Sequence, residues 1–213
     1  MAPLSLPSGD VGMLDVRRDL GTLSPELESK LVPVLSNILG RVIARNEKVG
    51  TAGKISAKLA AFYALRPPSI AIDSYLDRIF KYASCSSACF VLAMIYIERV
   101  IAREPSFTIT SLNVHRVVVT STLLANKFLD DLFYNNSYWA KIGGVTNAEI
   151  NALELDMLFL LDFDLSVSPA LFDEYVQRLF YADSILTGNA KGDSQQYYST
   201  NSTLRTAAAC ECA

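Results

Sequence analysis

The chain has 213 residues, the size of one domain with room for an extension. Hydrophobic residues make up 51% and charged residues 19%, which excludes wholesale disorder because there is ample apolar surface to bury. With 19 Lys and Arg against 22 Asp and Glu, the net charge of -3 argues against a surface built for nucleic-acid phosphates.

Ser24-Pro25-Glu26 reads as a helix opening, with Ser as N-cap, Pro at the first helical position and an acid in the first turn. A helix is expected from there to about residue 48, with a bend allowed at Pro33, and the Gly-containing stretch 49–53 ends it. A second apolar stretch, 55–65, is stopped by Pro67-Pro68. Ile72, Leu76, Ile79 and Phe80 then repeat at helical spacing. Residues 86–104 are apolar almost all round in their first half, so a buried central helix is expected. The apolar run inside it, 88–97, has about half the length of a bilayer span and stops at Glu98-Arg99. Residues 111–131 form the next helix, and 136–141 a short one closed by Gly143-Gly144. Thr146 and Glu149 make a capping box that opens a helix to about 161. Ser168-Pro169 opens a last one to about 182. After Leu186 the composition turns to Gly, Asn, Ser, Gln and Thr, the mark of a disordered tail. No segment alternates long enough to be a strand, so the class is all-α, packed around the 88–100 helix.

Catalytic signatures are missing: there is no phosphate-binding loop, dinucleotide fingerprint, zinc-protease motif or nucleophile elbow. Asp130 and Asp131 point about 100° apart on a helix and do not share one proton. Asp162 and Asp164 read as helix-end and turn residues. His115, the sole histidine, stands beside Arg116 without a partner at motif spacing and reads as a surface or packing residue. Cys85 and Cys89 are four apart, and Cys210 and Cys212 close the chain, which is not a zinc-site pattern. Free thiols, no metal and no cofactor are expected. The first 21 residues carry Asp10, Asp15 and Asp19 and no apolar run, unlike a secretory leader, so a soluble intracellular protein is expected.

One carboxylate is out of place. On the helix projection Ile150, Leu153, Met157, Leu158 and Leu161 share an apolar arc, and Glu154 falls inside it. It must be paired, as an internal salt bridge, or stand at the rim of an interface as a contact point, because an unpaired buried charge is costly. Lys127 has the opposite setting, projecting away from its own apolar stripe like a solvated lysine.

At these residues the sequence resembles a cyclin box. Tyr96-Ile97-Glu98-Arg99 is similar to the family's Y-I-[DE]-R. Leu123-Leu124-Ala125-Asn126-Lys127-Phe128-Leu129-Asp130-Asp131 is similar to the core of its third helix. Gly143-Gly144-Val145, then Asn151-Ala152-Leu153-Glu154 running into Phe163-Asp164, resembles the passage through the fourth and fifth helices. The resemblance is nearest to small single-box plant P/U-type cyclins, which are similar to fungal phosphate-signalling cyclins. It implies a five-helix box at 67–168, an N-terminal helical extension at 24–66, a C-terminal helix at 169–186, and disordered ends at 1–23 and 187–213. No complete second box is expected. The resemblance also implies a regulatory subunit, not an enzyme, that binds and activates a cyclin-dependent kinase of the PSTAIRE type as a heterodimer, in cell division or nutrient signalling. Lys127 and Glu154 occupy the family's kinase-contact places, and Phe128 and Leu165 match further contact positions. The first box helix departs from the family: Ser69 stands where many members have Arg and Tyr75 where they have Trp, so no patch for R-x-L peptides is expected.

Two other readings compete. A cyclin-fold protein binding nucleic acid or the transcription machinery would lean on Arg41, Arg45, Lys48, Lys54 and Lys58, the only local basic cluster. A small enzyme would lean on Cys85 or His115. Neither nucleic acid nor membrane is expected as a partner.

Overall fold

A computed structural model describes residues 20, 23–50, 56 and 58–187. The expected disordered tail, most of the N-terminal segment, Lys54, Cys210 and Cys212 lie outside the described residues. Those described hold seven α-helices and one 3₁₀ turn, and no strand among them. The helices are α1 (Pro25–Val49), α2 (Ile72–Tyr82), α3 (Ser87–Arg103), α4 (Val114–Leu129), α5 (Asn136–Gly143), α6 (Asn147–Leu160) and α7 (Pro169–Leu186).

Local chemistry explains most boundaries. Ser24 Oγ accepts from the Leu27 amide at 3.4 Å with Pro25 in the first turn, and α1 then runs unbroken through Pro33. Within the described part of the apolar stretch ahead of Pro67-Pro68, Ala60–Phe62 form a 3₁₀ turn that buries Phe62. Helix α4 begins three residues later than the periodicity suggests. The Asn113 side chain competes for the backbone there, accepting from the Thr110 amide at 2.9 Å and donating to the Thr108 carbonyl at 2.9 Å. Helix α5 closes on Gly144, whose φ of 68° is the left-handed conformation that favours glycine. Gly143 is needed for space as well: a Cβ there would meet Val119 of α4 at 3.1 Å. The capping box of α6 is complete, with Thr146 and Glu149 exchanging bonds. Helix α7 reaches Leu186, past the 182 that its composition alone suggested.

Helix α3 is the axis. Every residue from Ser87 to Ile97 is buried, so it has no solvent face over its first three turns. Helix α4 lies along it most extensively, and α6 packs on α4. Helix α5 wedges against α4 and α6, while α1 rests on α2 and α7. Among the described residues no helix is long and apolar enough to cross a membrane.

Candidate functional site

The two residues that looked misplaced in sequence are each other's partners. Lys127, in the last turn of α4, donates from Nζ to Glu154 Oε1 on α6 at 2.6 Å. Asn136, the first residue of α5, donates from Nδ2 to Glu154 Oε2 at 2.7 Å and to Asn151 Oδ1 at 2.7 Å. Three helices therefore meet at one carboxylate. The pair is at the edge of the fold, with side chains 29% and 16% exposed. Of the two alternatives for Glu154, the internal salt bridge is formed. Lys127 is correspondingly not the freely solvated lysine that its position on α4 suggested. Only one of its ammonium's three donors is taken by Glu154, leaving capacity at the open edge.

Phe128 and Leu165 are half-buried against the core. Leu165 is held from behind: Tyr96 donates its hydroxyl to the Leu165 carbonyl at 2.9 Å. Arg99 donates to the carbonyls of Asp164 and Ser166, each at 2.8 Å. The Asp164 carboxylate pairs with Arg99 at 3.5 Å and Arg103 at 3.3 Å. The Tyr96–Arg99 motif and the Phe163-Asp164 motif, far apart in sequence, thus form one clamp. Ahead of it the backbone is strained, since Asp162 and Phe163 both take left-handed φ, at 52° and 56°. A bulky residue there costs energy and marks a segment held by its surroundings.

Several other acids and nucleophiles have structural duties. Asp130 Oδ2 accepts from the Ser86 amide at 2.9 Å, Asn126 Nδ2 at 2.7 Å and Cys89 Sγ at 3.3 Å, so it caps α3 from the end of α4. The neighbouring Cys85 thiol and burial push the Cys89 thiol far up, out of nucleophilic range. His115 is a packing residue: a ring nitrogen, Nε2, meets the Ile70 carbonyl at 2.9 Å and the imidazole stands edge-on to Tyr75 at 4.8 Å. Burial lowers its pKa. Tyr75 is itself buried, its hydroxyl donating to the Gly143 carbonyl at 3.1 Å, so it offers no surface patch. Burial raises the Glu98 carboxyl, with the Tyr175 hydroxyl and Arg178 of α7 acting in the opposite sense, and the Tyr175 hydroxyl donates to the Met94 carbonyl at 3.5 Å, tying α3 to α7. No cluster of three or more His, Cys, Asp or Glu that could hold a metal occurs among the described residues.

Sequence projection missed the outer side of this site. Leu155, Phe159 and Phe163 stand in solvent at 51%, 64% and 57%, with Phe159 and Phe163 in edge-to-face contact at 5.4 Å. Part of the signal was available: the spacing of four between Leu155 and Phe159 marks a second apolar strip on a helix whose first strip already fills the core, and Phe163 follows in the turn beyond it. From Glu154 the apolar surface continues through half-buried Leu158 to this strip. A patch of this kind beside a partly desolvated ion pair has the anatomy of a protein-binding face.

A profile of the cyclin family matches residues 29–165, a span that takes in most of α1 and ends at Leu165. Cyclin-U4-1 of Arabidopsis thaliana is 48% identical over 156 residues, covering 73% of this chain and 77% of the relative. Cyclin-U1-1 of the same plant is 45% identical over 147 residues, covering 68% and 70%. Cyclin-P4-1 of Oryza sativa subsp. japonica is 45% identical over 153 residues, covering 70% and 72%.

Proposed function

The chain belongs to the cyclin family, with plant U- and P-type relatives, and from that membership we propose that it binds and activates a cyclin-dependent protein kinase of the PSTAIRE type. Cyclins are regulatory proteins, and the catalytic machinery belongs to the kinase. The observation that carries the reading is the Lys127–Glu154 pair at an open edge, together with half-buried Phe128 and Leu165 and exposed Leu155, Phe159 and Phe163. Apolar side chains supply the buried area of such an interface, while the charged pair fixes register through hydrogen bonds to the partner.

The proposed mechanism follows from how these kinases are switched. Their ATP-binding lysine needs a glutamate on a mobile helix of the N-terminal lobe, and the enzyme idles when that helix is displaced. A rigid surface that contacts the inward position better than the outward one shifts the population toward the active form. The output serves cell division or nutrient signalling, through a kinase heterodimer in the nucleus or the cytoplasm. The test is reconstitution: an inactive, purified PSTAIRE-type kinase is mixed with this protein and its peptide phosphorylation followed. A one-to-one complex with activity well above the kinase alone is expected. Absence of both complex and activation across such kinases would refute the proposal.

A further inference from the structure

We propose that Ser69 is a phosphorylation site for a basophilic serine/threonine kinase, which takes the exposed arch of residues 65–69 as substrate and reads Arg66 three places ahead of the acceptor hydroxyl. The site is separate from the Lys127–Glu154 face, and the proposal stands without the kinase-binding reading.

The five residues 65–69 are all exposed, Leu65 at 103%. Among the described residues none of the five makes a hydrogen bond or ion pair, so the Arg66 guanidinium and the Ser69 hydroxyl are both free. The arch is tied down on either side. Ahead of it the Tyr63 hydroxyl donates to the Thr108 carbonyl at 3.2 Å and the Ala64 amide to the Leu112 carbonyl at 2.8 Å. Behind it His115 Nε2 meets the Ile70 carbonyl at 2.9 Å. Between the ties Pro67 and Pro68 fix φ at about −65° and drive Arg66 and Pro67 out of the helical region. The stretch is therefore extended by its own covalent structure, and taking it into an enzyme cleft costs little ordering and breaks no hydrogen bond. Ser24 and Ser168, exposed serines followed by proline, fail the same criteria: each hydroxyl accepts from an amide of the helix it caps, and that proline is the first helical residue.

Arg66 decides the class of enzyme. An extended chain advances about 3.1–3.3 Å per residue, so an arginine three places ahead stands roughly 10 Å from the acceptor. A carboxylate pocket beside the phosphoryl-transfer centre takes a guanidinium there through paired charge-assisted bonds. In the transfer the Ser69 oxygen bonds to the γ-phosphorus of a nucleoside triphosphate, the bond from that phosphorus to the bridging oxygen breaks, and the diphosphate leaves with its electron pair. The hydroxyl proton passes to the catalytic aspartate of the modifying kinase. The product carries about −1.5 to −2 charge two residues before Ala71, the N-cap of α2. Alanine has no side-chain acceptor, and α2 starts without a side-chain cap bond, so the added phosphate faces an uncompensated helix start and stabilises it.

The test uses the full chain with magnesium ATP and the catalytic subunit of a cyclic-AMP-dependent kinase as the basophilic probe. Intact mass should show one added phosphoryl group, and peptide fragmentation should place it on Ser69. Ser69→Ala should remove that group, and Arg66→Ala should lower kcat/KM at least about ten-fold through loss of a charge-assisted contact. Both variants change exposed side chains, so their unmodified melting temperatures should equal that of wild type. A synthetic peptide of residues 62–73 serves as the unconstrained comparison, and the folded chain should react within about three-fold of it. The phosphorylated chain should melt about 1–4 °C above the unmodified one. An unmodified Ser69, or an Arg66→Ala chain phosphorylated as fast as wild type, would overturn the assignment. A peptide that reacts while the folded chain stays inert would overturn it too, because the arch would then not be open to an enzyme. A melting temperature that stays level or falls would overturn the stabilising effect on α2.

Discussion

Exchanging the charges of the Lys127–Glu154 pair separates its two conceivable duties, holding helices together and contacting a kinase. With a 2.6 Å contact and side chains 29% and 16% exposed, the pair lies between two regimes. Exposed pairs contribute about 0.2–1 kcal/mol, while breaking a fully buried one costs about 3–5 kcal/mol. Losing one partner here should cost about 1–2 kcal/mol, or about 2–8 °C in Tm for a chain of this size. Lys127→Ala belongs at the upper end, because the more enclosed Glu154 keeps only Asn136. Glu154→Ala belongs at the lower end, because Lys127 reaches water. The double variant Lys127→Glu/Glu154→Lys restores opposite charges once Asn136 turns its amide, so Tm should recover most of the loss. Kinase affinity should not recover: the partner's groups now face inverted charges, and losses of about 30-fold to several-thousand-fold are expected for mispaired interfacial charge. Calorimetric Tm and titration with a PSTAIRE-type kinase read the two duties separately. A swapped variant that binds like wild type would refute the contact role and leave an internal brace.

Ala93 is 4% exposed on the central helix, so Ala93→Asp buries an unpaired carboxylate and should abolish cooperative unfolding; a soluble variant with unchanged Tm would refute α3 as the axis. His115 is held neutral by burial, and its Nδ1 is buried without a partner, so the unfolded chain takes up the proton more readily. Stability from this group is then full above about pH 6.5 and is lost as pH falls through the lower folded value; urea melts at pH 7 and pH 5 should show a smaller loss for His115→Gln than for wild type, and equal losses would refute it. Phe163→Gly relieves a left-handed φ of 56° worth about 1 kcal/mol, so Tm should hold or rise while kinase affinity falls about ten-fold; a large drop in Tm would mean the Phe159 contact outweighs the strain.

Much of this was legible in the chain because it is local. Ser24-Pro25, Thr146 with Glu149, and Gly143-Gly144 set helix ends through side chains and backbone within one turn, and the helices formed there. Glu154 was recognisable because a charge in an apolar arc needs a partner. That the partner is Lys127, 27 residues away, was not, since helix projection treats each helix alone. The same limit hid the role of Asp130, which accepts from the amide of Ser86, the N-cap residue of α3, 44 residues earlier. Leu155 and Phe159 were visible as a second apolar strip by their spacing, but only packing says which apolar side chains are left over.

The site depends on α3 although no residue of α3 is among its proposed contacts. At one end of that helix Ser86 and Cys89 hold Asp130, and so the end of α4 that carries Lys127 and Phe128. At the other end Tyr96 and Arg99 hold the carbonyls of Asp164, Leu165 and Ser166, and so the strained turn that presents Phe163. From Ser86 to Arg99 a helix rises about 20 Å, and this length sets the distance between the two anchor points of the face. Buried on all sides over its first three turns, α3 cannot shorten, bend or rotate without opening the core. A partner that must be held in one of two arrangements needs a surface that does not yield to the other. The rigidity of such a surface then resides as much in the Tyr96, Arg99 and Asp130 bonds as in the contacting side chains, because differential contact drives a population shift only if the contacting groups keep their spacing.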